Sequence, residues 1–121
     1  MLKNRLLVID DEEIVIKSCK RTLSPEGYIV DTALSGKEGL ELFKNNQYDL
    51  VIVDLKMPEM NGIEFMRQIK ELKPEQKIMI MTGYDTIDHI VESISSGAAH
   101  YLEKPFTPLT LLERVKEVLE E

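Results

Sequence analysis

The 121-residue chain is short of several features that would fix its class at once. It has a single cysteine, Cys19, so no internal disulfide can form. One thiol beside two histidines makes no zinc pattern. Positive charge is in deficit: 15 Lys and Arg stand against 22 Asp and Glu, a formal net charge of -7. Such a domain is not expected to grip nucleic acid directly, because phosphate binding needs basic charge. Long apolar runs are missing as well. None approaches the roughly 20 residues of a membrane-spanning helix. The opening MLKNRLLVIDD meets charge after only four apolar residues, too few for the core of a signal peptide. These absences set the expectation of a cytoplasmic protein. No linker, repeat or low-complexity tract is legible, and the length and the 43% hydrophobic content suit one domain, residues 1–121, with one core.

What the chain does have is alternation. Short apolar runs, RLLVI (5–9), YIVDT (28–32), DLVIV (49–53), KIMIM (77–81) and AHYLE (99–103), read as five strands. Between them lie segments of helical period: about 12–24, closed by Pro25 and Gly27; a second from Ser35-Gly36 to Asn45-Asn46; a third carrying Ile63, Phe65, Met66 and Ile69 before Pro74; residues 85–96, with Gly97 as C-cap; and a last helix over 107–120. The continuous, β-branched third run is expected at the centre of the sheet and the mixed second run near an edge. Strands alternating with helices imply an α/β fold, a five-stranded parallel sheet covered by helices on both faces. In such sheets ligands gather at the carboxyl ends of the strands.

Those ends carry the polar residues. Strand one ends in Asp10-Asp11, strand three in Asp54, strand four in Thr82 and strand five in Lys104-Pro105. Singly each is unremarkable, since an Asp after a strand is most often a helix cap and a Lys before Pro a solvated turn. With strand order 2-1-3-4-5, however, three carboxylates, a hydroxyl and an ammonium meet at one mouth. Clustered carboxylates repel unless a cation joins them. Oxygen ligands with room for water suit Mg²⁺. The stretch LLVIDDEE (6–13) then reads as two ligands, Asp10 and Asp11, followed by Glu12 and Glu13 entering a helix whose N-terminus favours acids. A metal, a lysine and a hydroxyl around a carboxylate would hold a phosphoryl group, and Asp54 is a candidate covalent acceptor.

Taken together, Asp10-Asp11, VDLKMPEMNG around Asp54, MTG with Thr82 and YLEKPF with Lys104 closely resemble the receiver domain of two-component response regulators, a CheY-like superfamily. The resemblance runs from the first strand to the last helix. It implies that Asp54 accepts a phosphoryl group from a phosphohistidine on a sensor histidine kinase or histidine phosphotransfer protein. Asp11, Asp54 and the backbone carbonyl of Lys56 would ligate Mg²⁺ directly, with Asp10 acting directly or through water. It further implies that Lys104 pairs with the phosphoryl oxygens, that Lys104-Pro105 is a cis peptide, and that Thr82 and Tyr101 form a switch. The output face would comprise the 85–96 helix, the fifth strand and the last helix. Glu12, Val15, Pro105 and Phe106 are candidates for partner docking; Val15 taken alone reads as core. A downstream effector and a phosphorylation-dependent dimer complete the implied partners. The chain is not expected to turn over external substrates, only to catalyse its own phosphorylation and slow dephosphorylation. The bulk of Lys56 and Tyr84 is expected to shield the acyl phosphate from water.

Two other functions share parts of this pattern. A flavin-binding module would need a glycine- and hydroxyl-rich phosphate loop after the first strand, where this chain has Asp10-Asp11-Glu12-Glu13. A phosphatase of the haloacid dehalogenase type uses a second aspartate two residues after the nucleophile, where this chain has Lys56. The portion MTGYDT…GAAHYLEKPF is similar to receivers of nitrogen-regulatory transcription factors, and DLKMP to single-domain receivers of sporulation relays. His89, His100 and the Met57-Pro58 and Met60 segment read as surface and loop packing, and Cys19 as a small buried residue.

Overall fold

A computed structural model describes residues 4–83, 92, 94, 95, 97, 98 and 100–121. Most of the helix expected over 85–96, with Ile87, Ile90 and Val91, and the residues Tyr84, His89 and Ala99 lie outside them; of its apolar positions only Ile94 is described, and it is exposed. In chain order the elements are β1 (Arg5–Ile9), α1 (Glu13–Leu23), a 3₁₀ turn (Ser24–Glu26), β2 (Ile29–Ala33), α2 (Gly36–Asn45), β3 (Leu50–Asp54), α3 (Gly62–Leu72), β4 (Ile78–Thr82), β5 (His100–Glu103) and α4 (Pro108–Glu120). The strands form one sheet in the order β2-β1-β3-β4-β5, and every pairing is parallel.

Alternation along the strands divides the core into two layers. Leu7, Ile9, Val51, Val53, Ile78 and Ile80 face Leu40 and Phe43 of α2 and Phe65, Met66 and Ile69 of α3. Their sequence neighbours Leu6, Val8, Leu50, Ile52, Met79 and Met81 face Ile16, Cys19 and Leu23 of α1 and Leu111, Val115 and Val118 of α4. Each fully buried Leu, Ile or Phe contributes about 1.5–3 kcal/mol by leaving water. The two layers together therefore fix the register, since a slip by one residue would exchange the faces. The continuous run in β3 is buried at every position and lies at the centre of the sheet; β2 and β5 are the edges.

The helix starts follow from local chemistry. Ser35 caps α2 by accepting from Glu38 N–H, while the Glu38 carboxylate reaches back to Leu34 N–H. Asn61 caps α3 and Thr107 caps α4, where Pro108 occupies a position that needs no N–H. Gly27 and Gly97 take left-handed φ values of 97° and 111°, and Gly27 N–H closes the 3₁₀ turn on Ser24 O at 3.0 Å. No helix among the described residues is long and apolar enough to cross a membrane.

Candidate functional site

Because all five strands run the same way, their carboxyl ends share one edge, and the β1 and β3 ends are adjacent there. Asp10 follows β1 directly and is fully buried, whereas Asp11 and Glu12 turn outward to solvent. The difference is one of direction. Asp10 N–H continues the ladder to Ala33 O at 3.2 Å, and its Oδ1 accepts from Glu12 N–H at 2.9 Å while its Oδ2 meets Lys104. Asp54 closes β3 and Thr82 closes β4; both are buried, at 5% and 2% exposure. From β5, Lys104 N–H donates to Thr82 O at 2.9 Å, which ties the start of the last loop to the end of β4. The Lys104–Pro105 peptide is cis.

Lys104 organises the mouth. Its Nζ lies 2.6 Å from Asp10 Oδ2, 3.5 Å from Asp54 Oδ2 and 3.8 Å from Glu12 Oε1. Asp54 Oδ1 accepts from Lys56 N–H at 3.3 Å. Two buried carboxylates thus share one ammonium, and the charge does not balance. Burial, then the neighbouring Asp10 charge, pushes the Asp54 carboxyl up to about 6, although Lys104 pulls the other way. Burial also raises Asp10, against the lowering effect of the Lys104 hydrogen bond. Burial alone would lower the Lys104 ammonium. The Asp10 hydrogen bond and the Asp54 and Asp10 charges outweigh it, and Lys104 sits above its ordinary value.

A further positive charge would relieve this excess. Asp10, Asp11 and Glu12 each offer a carboxylate oxygen, and these oxygens lie within 4.8 Å of one another. An all-oxygen, all-anionic donor set fits a hard divalent cation such as Mg²⁺. Asp54 is not a member of that trio; it reaches the group through the ammonium it shares with Asp10. Glu12 was expected as a helix-entry acid and docking residue, and the structure adds a carboxylate oxygen in ligand range. Lys56 is exposed.

Beside the mouth, Glu12, Ile14, Val15, Ser18, Lys104, Pro105 and Phe106 line a groove of about 460 Å³ between α1 and the β5–α4 loop. The four residues expected to dock a partner all line it. Val15 and Phe106 also pack against the core, so Val15 is both core and groove. Sequence reasoning missed Ile14, 76% exposed. The available signal was an isoleucine off the Ile16, Cys19 and Leu23 stripe of α1. Tyr101 is 37% exposed on the edge strand β5. His100 is half-buried and contacts the Glu121 carboxylate. Met57 is buried and Met60 packs against the core, which is loop packing. Cys19 is buried, and burial followed by the Asp10 charge pushes its thiol up to about 12.

Comparison with known proteins agrees with this architecture. The family model described as response regulator receiver domain matches residues 6–116. Response regulator MprA of Mycobacterium sp. (strain KMS) is 38% identical over 115 residues, which is 95% of this chain and 50% of that protein. The chain therefore spans about half the length of the curated relatives it matches. Among solved structures, a receiver domain protein (CheY-like) from Methanospirillum hungatei JF-1 superposes with a TM-score of 0.94 at 36% identity, covering 98% of this chain and 95% of that one. The beryllofluoride-activated NtrC4 receiver domain dimer gives 0.90 at 35% identity, covering 96% of each chain. The chain belongs to the response regulator receiver family.

Proposed function

We propose that residues 1–121 act as one phospho-accepting receiver domain, in which Asp54 takes a phosphoryl group from a phosphohistidine on a sensor histidine kinase or histidine phosphotransfer protein. One observation carries the reading: Lys104 Nζ stands between two buried carboxylates at the carboxyl edge, 2.6 Å from Asp10 and 3.5 Å from Asp54. Two buried acids sharing one half-buried lysine are costly as a purely structural device. The arrangement becomes useful when one acid acquires a dianionic group.

In this reading an Asp54 oxygen attacks phosphorus in line as the phosphorus–nitrogen bond to the donor imidazole breaks, the bond's electron pair staying on the imidazole. Lys104 exchanges its contact with the Asp54 carboxylate for one with a phosphoryl oxygen, and the Thr82 hydroxyl donates to another. Asp11, Asp54 and the Lys56 carbonyl would hold Mg²⁺, with Asp10 contributing directly or through water. The ion supplies charge neutralisation for the transferring oxygens. Phosphorylation adds roughly -1.5 to -2 charges and three acceptor oxygens. Thr82 moves toward them, Tyr101 turns inward, and the 85–96 segment, β5 and α4 carry the change to a downstream effector or the next relay component. Only differential contacts to the two states can shift such an equilibrium. The groove of Glu12, Val15, Pro105 and Phe106 beside the mouth suits the incoming donor. A phosphorylation-dependent dimer is supported by analogy with the activated NtrC4 receiver dimer.

The domain would act in the cytoplasm, would not bind nucleic acid itself, and would catalyse only its own phosphorylation and slow dephosphorylation. The test is incubation with acetyl phosphate and Mg²⁺. One phosphoryl group per chain, lost in Asp54→Ala, is the expected result. No incorporation, or repeated turnover of an external phosphomonoester, would overturn it.

A further inference from the structure

We propose that Gly62 is a positioning residue for phosphorylation at Asp54, because the lack of a side chain there lets the first residue of α3 rest on the backbone of the acceptor. The inference builds on the receiver reading above. A Cβ on Gly62 would lie 2.5 Å from the carbonyl oxygen of Asp54, 2.8 Å from the Cα of Leu55 and 3.1 Å from the Asp54 carbonyl carbon. All three are backbone atoms and have no rotamer to swing aside. Gly39 differs: there a Cβ would meet the Cδ1 of Ile9 at 2.6 Å, the far end of a side chain.

The approach at Gly62 is a bonded seat. Gly62 N–H donates to Leu55 O at 3.0 Å, and Leu55 N–H donates to Met81 O at 3.2 Å, immediately before Thr82. On the other side of the same peptide, Lys56 N–H donates to the Asp54 carboxylate at 3.3 Å. The intervening loop is held in a form few sequences adopt. Glu59 takes a φ of 70°, in the left-handed region that a non-glycine residue rarely enters. Met60 N–H donates to Pro58 O at 2.8 Å, and Asn61 Oδ1 accepts from Glu64 N–H at 2.9 Å to start the helix.

The segment from Asp54 to Gly62 is therefore fixed from both ends. Helix α3 cannot retreat without breaking the Gly62–Leu55 bond, and any L side chain at position 62 forces that retreat. The displacement falls on the Asp54–Leu55 peptide. Displacing that peptide shifts the residues on either side of it, which the Lys56 N–H bond to the Asp54 carboxylate links, and so disturbs both groups that the proposed reaction uses, the Asp54 carboxylate and the Lys56 carbonyl. An error near 1 Å in a reacting group costs on the order of 10²-fold in rate.

The experiment compares wild type, Gly62→Ala and Gly27→Ala in acetyl phosphate with saturating Mg²⁺, each at a temperature where circular dichroism shows it fully folded. Gly27 has a φ of 97° with nothing within 4 Å of its Cβ position, so its alanine variant is a destabilised control remote from Asp54. Gly62→Ala is expected to incorporate phosphate about tenfold or more slowly, and the Leu55 and Lys56 amide shifts to report weaker Mg²⁺ binding. Gly27→Ala should match wild type in both. A Gly62→Ala rate and Mg²⁺ affinity within about twofold of wild type, or an equal loss in Gly27→Ala, would overturn the inference. Should Gly62→Ala not fold, an ester replacing the Gly62 N–H removes the Leu55 bond without adding bulk. A slower rate in that chain supports the proposal, and an unchanged rate overturns it. Failure of the wild type to incorporate phosphate would instead defeat the receiver reading.

Discussion

Replacing Asp54 by its uncharged isostere, asparagine, should make this protein more stable. Asp54 is 5% exposed and shares a single ammonium with Asp10. Its carboxyl is raised from the ordinary 3.8 to about 6, first by burial and then by the Asp10 charge. An unfolded chain has released this proton by about pH 5, whereas the folded chain still holds it there. Folding thus takes up a proton between about pH 4 and 6, and wild-type stability falls as pH rises through that window. Asparagine has no proton to lose. The advantage of Asp54→Asn is therefore absent near pH 4 and complete above about pH 7. A shift of about 2 units sets a ceiling near 3 kcal/mol, at 1.36 kcal/mol per unit. The mouth is open to water and salt, so we expect about 1–2 kcal/mol. Urea unfolding followed by circular dichroism, without divalent metal, measures the difference. The midpoints should coincide near pH 4 and separate in favour of Asp54→Asn above about pH 7. Adding Mg²⁺ should narrow the gap by stabilising wild type preferentially. Equal midpoints at neutral pH, or a less stable variant, would refute the electrostatic account of the site.

Three further outcomes follow from individual contacts. Lys104→Met leaves Asp10 and Asp54 buried without their shared cation and should cost about 2–4 kcal/mol; the cost should shrink when Asp54→Asn is already present, as a double-mutant cycle in urea would show. Thr107→Ala removes the oxygen that accepts from Thr110 N–H at the start of α4, and should lower stability by about 1 kcal/mol while leaving phosphoryl incorporation unchanged. Lys56→Ala should hasten loss of the phosphoryl group from Asp54, measured as decay of the labelled protein after donor removal; unchanged or slower decay would remove Lys56 from the shielding role.

Much of the architecture was legible because strand and helix periods differ. The β3 run has no alternation, and that alone placed it at the centre, where every residue is buried. Strand ends were less legible. The apolar run predicts a third strand over 49–53, whereas β3 runs from Leu50 to Asp54. Asp49 instead spends its side chain on Arg5 N–H at 2.8 Å, a partner 44 residues away that no local pattern reveals. The expected second strand likewise began at Tyr28, but pairing starts where Ile29 N–H meets Asn4 O. At the site, residue types pointed to the shared mouth without giving depth. Adjacent Asp10 and Asp11 look alike in sequence, yet one is fully buried and the other exposed. The closeness of Gly62 to Asp54 was hidden too, since a glycine before a helix also serves simply as turn chemistry.

The central claim is that Asp10, Asp11, Asp54, Thr82 and Lys104 serve one divalent ion and its bound anion. A crystal structure of the protein with Mg²⁺ and beryllofluoride tests it most directly. The account predicts the fluoride complex on an Asp54 oxygen, Lys104 Nζ and the Thr82 hydroxyl within hydrogen-bonding distance of its fluorines, and Mg²⁺ touching Asp11, Asp54 and the Lys56 carbonyl. An ion held by Asp10, Asp11 and Glu12 alone, with Asp54 unmodified and Lys104 still on Asp10, would contradict it.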